Sequence, residues 1–303
     1  MTGALVNIGE LSKPATVLIN RISEAVGGVF KPYQIVRVAK AEAEAEMIRA
    51  AACIDIQDLQ RRALHRFLLE EGAKQENMES ITSQALPQLT EDSTPENLEK
   101  DWITNFFDKC RLISDKEMQN LWSRVLAGEA TSPGTFSKRT VNFLASLDRS
   151  DAATFRSLCS FIWMIGAPTA LVFETQGQIY NERGINFGSL TQLDAIGLVR
   201  LDCLSGFCRQ GLPKSFTVGY FGTLLQLEMP LDADNQLAIG QVLLTKLGRE
   251  LATICGTDPH PEFYDYVAKK WEWHLPKPSP SPEPRDEARS EHADAVLPSN
   301  EAR

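Results

Sequence analysis

From Tyr33 to Gln75 the sequence holds one glycine, Gly72, and no proline. The stretch is rich in Ala, Glu, Arg, Gln and Leu, the residues that lose least on entering a helix. Ile35, Val38, Ala41, Ala45, Ile48, Ala52, Ile56, Leu59, Ala63 and Phe67 fall on one slowly drifting face. Read as one helix, this is a rod of about 60 Å at 1.5 Å per residue. That is longer than a compact domain needs, so it must pack on something along its length. Its centre, Ala39 to Glu46, has little apolar bulk. A seam that shallow admits close approach by the protein's own helices or by a second chain, and it equally suits a solvated stalk.

The rest of the chain is organised around this rod. Leu11, Ala15, Leu18, Ile19, Ile22 and Val26 form one apolar stripe, with Pro14 in the first turn and Gly27-Gly28 as a stop. After Asn77 come shorter helices. One starts at Thr94-Pro95, one at a Ser114/Glu117 capping box and ends at Gly128, one passes through Val141 to Leu147, and one starts near Asp148 and ends at Gly166. Strands are then expected at 170–175, 178–180, 198–203, 216–221, 224–229 and 236–243, with a short helix over 190–196 and another opened by Thr245. The predicted fold is mainly α. It comprises an amphipathic helix and long Ala/Glu-rich helix (1–76), a helical bundle (77–166), a small α+β winged-helix-like module (167–275) and a disordered tail (276–303) too poor in apolar surface to fold.

Forty acidic against 31 basic residues give a net charge of −9, a field that repels phosphate backbones. Nucleic-acid binding would need a local basic patch, so it is disfavoured. Cys53, Cys110, Cys159, Cys203, Cys208 and Cys255 sit in scattered apolar or helical contexts and read as reduced thiols. The first residues lack a basic region followed by an apolar one, and the expected location is the cytoplasm. The uncharged run Ser157 to Phe173 is at the lower limit for a membrane span, but Gly166, Ala167 and Pro168 interrupt it, so it reads as a buried helix followed by a strand.

No phosphate-cradling glycine loop, nucleophile elbow or His-Glu-x-x-His pair is present, and only four histidines are available for imidazole chemistry. No cofactor is expected and no catalytic residue is assigned. The one metal hypothesis joins Cys203 and Cys208 with Cys255 and His260, three thiolates and an imidazole at wider spacing than zinc pairs usually show. Against it, free thiols at such positions are ordinary small core residues. A DNA-reading role for helix 190–196 would rest on Thr191 and Gln192, with Arg183, Arg200, Arg209 and Lys214 as a dispersed rim. Phe263, Tyr264, Tyr266, Trp271 and Trp273 have the spacing of a terminal helix docked on a core.

At Leu11-Ser12-Lys13-Pro14-Ala15, Ala39 to Glu44, Asn105 to Arg111 and Leu121 to Glu129, the chain resembles a bacterial family known as domain of unknown function 2806, over about Leu11 to Leu275. That resemblance implies no catalytic residue. The turns Ile196-Gly197-Leu198 and Leu244 to Gly248 also resemble the abortive-infection alpha family, which implies a setting in phage defence.

The function expected is therefore that of a non-enzymatic protein acting through a protein partner or its own second copy. Two alternatives stand beside it. One is a nucleic-acid-binding regulator using the winged-helix-like module. The other is a peripheral membrane protein lying on a bilayer through residues 11–30.

Overall fold

The helix signals of the first half are obeyed in part: Ser12 and Gly27 bound a helix, whereas Thr94-Pro95 opens only a single 3-10 turn (Pro95–Asn97) and the helix expected to end at Gly128 runs on to Thr131. The computed structural model describes residues 11–27 and 58–276. The first helix, α1 (Lys13–Val26), is capped by Ser12, whose hydroxyl accepts from the Ala15 amide, and stops at Gly27, whose φ of 79° suits the turn. Helix α2 (Asp58–Ala85) runs unbroken through Gly72 and on past Gln75. The part of the expected rod before Asp58, and the expected tail after Pro276, lie outside the described residues. Then come α3 (Lys100–Cys110), α4 (Lys116–Thr131) and α5 (Lys138–Leu144). Asp115 caps α4 by accepting from the Glu117 and Met118 amides, one position after the Ser114 cap expected from the sequence.

These helices bury one apolar cluster. Leu18 and Ile22 of α1, Ile81 and Ala85 of α2, Ile103, Phe106 and Phe107 of α3, and Trp122, Val125 and Leu126 of α4 are all essentially inaccessible. Phe106 stacks on Trp102 and meets Trp122 edge-on, with ring centroids 5.1 Å apart in both pairs.

A second cluster begins with α6 (Arg149–Cys159), and here the expectation of a mainly α chain with a winged helix is overturned. The chain is α+β, with eight strands among the described residues. The apolar run read as helix to Gly166 leaves α6 at Cys159 and folds back as β1 (Ile162–Ile165) and β2 (Ala167–Ala170). Gly166, at φ 69°, makes the turn. A short apolar run carries no period that separates buried helix from buried strand, which is why the sequence misled.

Two helices follow, α7 (Gln178–Asn181), read from the sequence as a strand, and α8 (Phe187–Ala195). The remaining strands form three nested antiparallel pairs. β3 (Val199–Leu201) pairs with β8 (Val242–Leu244), β4 (Phe207–Leu212) with β7 (Asn235–Gly240), and β5 (Ser215–Tyr220) with β6 (Thr223–Glu228). The innermost pair joins β1 to make a four-stranded sheet of order β2-β1-β5-β6. A wing would leave that hairpin beside a recognition helix; here β1 pairs with it instead, so no winged helix forms. Helices α9 (Lys246–Ala252) and α10 (Phe263–Lys270) complete the unit.

Aromatic residues dominate this second core. Trp163, Tyr180, Phe161 and Phe263 are fully buried, and Trp163 stacks on both Tyr220 and Tyr264. The Tyr220 hydroxyl donates to the Ser160 carbonyl at 2.6 Å and accepts from the His260 amide at 2.8 Å. Burial pushes its pKa up to about 12, so it stays protonated and keeps both bonds. Tyr220→Phe is expected to cost about 1–3 kcal/mol, because it leaves a buried amide and carbonyl unpaired; urea denaturation measures it.

The two cores meet at α4, α5 and α9. Arg124 Nη1 donates to the Ile254 carbonyl at 2.8 Å, and the Glu250 carboxylate on α9 accepts from the Ser137 amide at 3.1 Å and from the Thr140 hydroxyl at the start of α5.

Candidate functional site

The strongest departure from ordinary burial lies on α2. From Asp58 to Glu71 every residue is exposed except Leu68, which is half-buried. Four large apolar side chains stand in this exposed segment: Leu59 at 67%, Leu64 at 39%, Phe67 at 57% and Leu69 at 61%. Leu59, Ala63 and Phe67 follow one another at four-residue spacing, and Leu64, three residues before Phe67, widens the stripe, so the helix presents an apolar ridge. A single exposed leucine needs no explanation, but a ridge of this kind marks a surface that meets something.

The second half of α2 fixes that ridge in place. Ile81, Thr82 and Ala85 are buried. A polar network ties the helix to α4 and the loop before it. Asn77 Nδ2 donates to the Arg111 carbonyl at 2.9 Å and the Ser80 hydroxyl to Gln119 Oε1 at 2.8 Å. Gln119 Nε2 in turn donates to Asn77 Oδ1 at 3.1 Å and to the Ile113 carbonyl at 2.8 Å. Gln119 is itself buried, so its bonds are made where water cannot compete.

After Asp58 the charge along the exposed half is segregated, with Arg61, Arg62 and Arg66 followed by Glu70 and Glu71. Asp58 and Arg62 pair at 3.4 Å, as do Arg66 and Glu70, each four residues apart. Such exposed pairs add only tenths of a kcal/mol to the helix, so its direction-dependent charge remains available to a partner.

The residues singled out from the sequence fall elsewhere. Cys203 and Cys208 are exposed near β4, whereas Cys255 sits against the buried Cys159, whose thiol is pushed well up by burial and then by its hydrogen bond with Cys255. His260 is buried; it stacks on Phe161, and its Nε2 lies 3.4 Å from Glu182 Oε2. Among the described residues no group of three or more His, Cys, Asp or Glu could hold a metal ion. Lys214 pairs with Asp232 at 2.9 Å on the surface, and the exposed Thr191 hydroxyl donates to the Phe187 carbonyl.

The α1 stripe offered to a bilayer is occupied. Ala15, Leu18 and Ile22 face the first core, and Arg21 Nη2 donates to the Leu98 carbonyl. Residues 28–30 lie outside the described residues. No helix among the described residues is long and apolar enough to cross a membrane.

No curated protein and no solved structure matches the chain. A family described as "Protein of unknown function (DUF2806)" matches residues 61–268, which takes in all of the described chain from the exposed half of α2 to the end of α10 save a few residues at either side. Since that match covers more than half of the sequence and most of both cores, the chain belongs to the DUF2806 family.

Proposed function

We propose that this protein acts by association rather than catalysis, and that the exposed half of α2 is its contact surface, with a second copy of the chain lying antiparallel on it. The observation that carries this reading is the apolar ridge of Leu59, Leu64 and Phe67 on a helix whose other half is locked to the core. The order of charge selects the occupant. An antiparallel copy sets Arg61 and Arg62 of one chain beside Glu70 and Glu71 of the other, twice over about a two-fold axis, whereas a parallel copy sets like against like. The sequence also continues the seam upstream, through Ile56, Ala52 and Ile48.

The turns that resemble the abortive-infection alpha family support a setting in phage defence, which plaque counts on bacteria with and without the protein would test.

Light scattering on the whole chain across a range of concentrations is expected to show a monomer–dimer equilibrium. Leu64→Glu with Phe67→Glu should abolish the dimer while leaving circular dichroism unchanged and the unfolding midpoint equal to that of dilute, monomeric wild type, because both side chains are exposed. Arg62→Glu alone should weaken association, and Arg62→Glu combined with Glu70→Arg should restore it. A monomer at every concentration defeats the proposal. So does a dimer indifferent to Leu64→Glu with Phe67→Glu.

A further inference from the structure

We infer that the cleft between the two cores binds a phosphorylated small molecule, with Arg156 and Arg183 as the residues that grip its phosphoryl group. This rests on observations separate from the α2 ridge. The cleft measures about 560 Å³, within the range of roughly 300–1,000 Å³ typical of small-ligand sites. It opens where α4 and α6 face the loop around Cys255 and the turn after α7.

Its electrostatics oppose those of the chain as a whole. Five cations, Lys116, Arg124, Arg149, Arg156 and Arg183, line it against two acids, Glu117 and Asp258, in a protein of net charge −9. Three of the five have partners. Lys116 Nζ donates to Gln119 Oε1 at 3.0 Å, Arg124 to the Ile254 carbonyl, and Arg149 pairs with Glu117 at 2.9 Å. Arg156 and Arg183 have no side-chain hydrogen bond or ion pair among the described residues. Arg183 is half-buried and Arg156 exposed, so both guanidinium groups are open to a ligand that enters the cleft. Guanidinium groups gathered round one cavity repel one another unless an anion sits between them, and a phosphoryl group accepts the paired N–H bonds of a guanidinium fork better than any monovalent ion.

The apolar part of the lining selects for an organic body on that phosphate. Met118, Leu121 and Ala152 give the cleft an apolar side. A bare phosphate leaves this side wet, whereas a nucleoside monophosphate or diphosphate fills it. Arg156, on α6, and Arg183, after α7, both belong to the second core, whereas α4 of the first core brings Lys116, Leu121 and Arg124 to the same cleft, so the ligand bridges the two cores.

Calorimetry on the whole chain with inorganic phosphate, ADP and a single-stranded oligonucleotide tests the assignment. ADP is expected to bind and raise the unfolding midpoint, with phosphate at least tenfold weaker. Arg156→Ala and Arg183→Ala should each weaken ADP about 10- to 100-fold, the span of one lost charged hydrogen bond, while Arg139→Ala, an exposed arginine outside the cleft, should leave it unchanged. Absence of heat with ADP at millimolar concentration overturns the proposal. So does ADP binding that survives both substitutions, or an oligonucleotide that binds more tightly than ADP.

Discussion

Gly240→Ala is expected to cost more than about 3 kcal/mol and to unravel the nested strand pairs of the second core. Two independent penalties meet at this position. Its φ of 101° is a conformation that a residue with a Cβ adopts only under strain, at about 1–3 kcal/mol. A Cβ there would also lie 2.2 Å from the Val172 carbonyl oxygen and 2.9 Å from the Phe173 amide nitrogen, both backbone atoms that cannot swing aside. Val172 forms a parallel bridge to Gly240, and its carbonyl accepts from the Gln241 amide at 2.6 Å, so relieving the clash breaks the backbone tie between the end of β7 and the segment after β2 and leaves the Thr175 amide bond to Gln241 Oε1 to hold them.

The control separates sterics from backbone freedom. Gly222 also has a positive φ, 88°, but a Cβ there meets nothing within 4 Å. Gly222→Ala should therefore cost only about 1 kcal/mol, the conformational part alone. Denaturant titrations of both variants, with amide exchange read in β4 and β7, measure the contrast; equal losses would show that the close approach at Val172 carries no weight.

These positions also show which parts of the fold could be read in advance. Punctuation was legible wherever a single residue does a local job. Pro14 and Gly27 bound α1, and the Thr245 hydroxyl caps α9 by accepting from the Gly248 amide at 3.1 Å. Alternating strands such as β6 were legible for the same reason. What depended on distant partners was not. The run Phe161 to Leu171 stays apolar even where β1 exposes Met164, so it lacks the polar beats that tell a helix from a hairpin. β4 has exposed residues and a register shift near Gly211, which erased its alternation.

The sites divide the same way. The apolar residues of α2 stood in plain sequence order, and only their exposure waited on the structure. The cleft did not, since Arg124 and Arg183 come from elements far apart in the chain and nothing local joins them. Cys203, Cys208, Cys255 and His260 fail to meet because Cys255 turns toward Cys159 and His260 toward Phe161 and Glu182.

Glu129 is the buried charge on which the first core depends, and its replacement should show both a large loss of stability and a characteristic pH dependence. It is 4% exposed and grips the loop after α4, with Oε1 accepting from the Gly134 amide and Oε2 from the Phe136 amide, each at 2.7 Å. Phe136 is held further through its carbonyl, which accepts from the Trp102 indole at 2.7 Å. Glu129→Ala leaves two amides without partners and a cavity beside Phe136, for an expected cost of about 2–4 kcal/mol. Glu129→Gln keeps the volume and one acceptor but turns an amide donor toward an N–H, costing about 1–3 kcal/mol. Burial, outweighing the two amide bonds, raises the Glu129 pKa above the usual 4.5, and Glu250 and Glu99 add to the rise. The folded protein therefore takes up this proton at a higher pH than the unfolded chain does. As pH falls from above the raised pKa toward 4.5, the native state gains stability from this group, and below 4.5 the gain is complete. Other carboxylates, Glu174 and Asp108 among them, are shifted the opposite way by Lys270 and Lys109, so total stability hides the effect. The difference between the wild type and Glu129→Gln cancels them. That difference, measured by urea denaturation between pH 8 and 4.5, should widen steadily on acidification; one that stays flat or narrows would mean that the carboxylate is not held against its own desolvation.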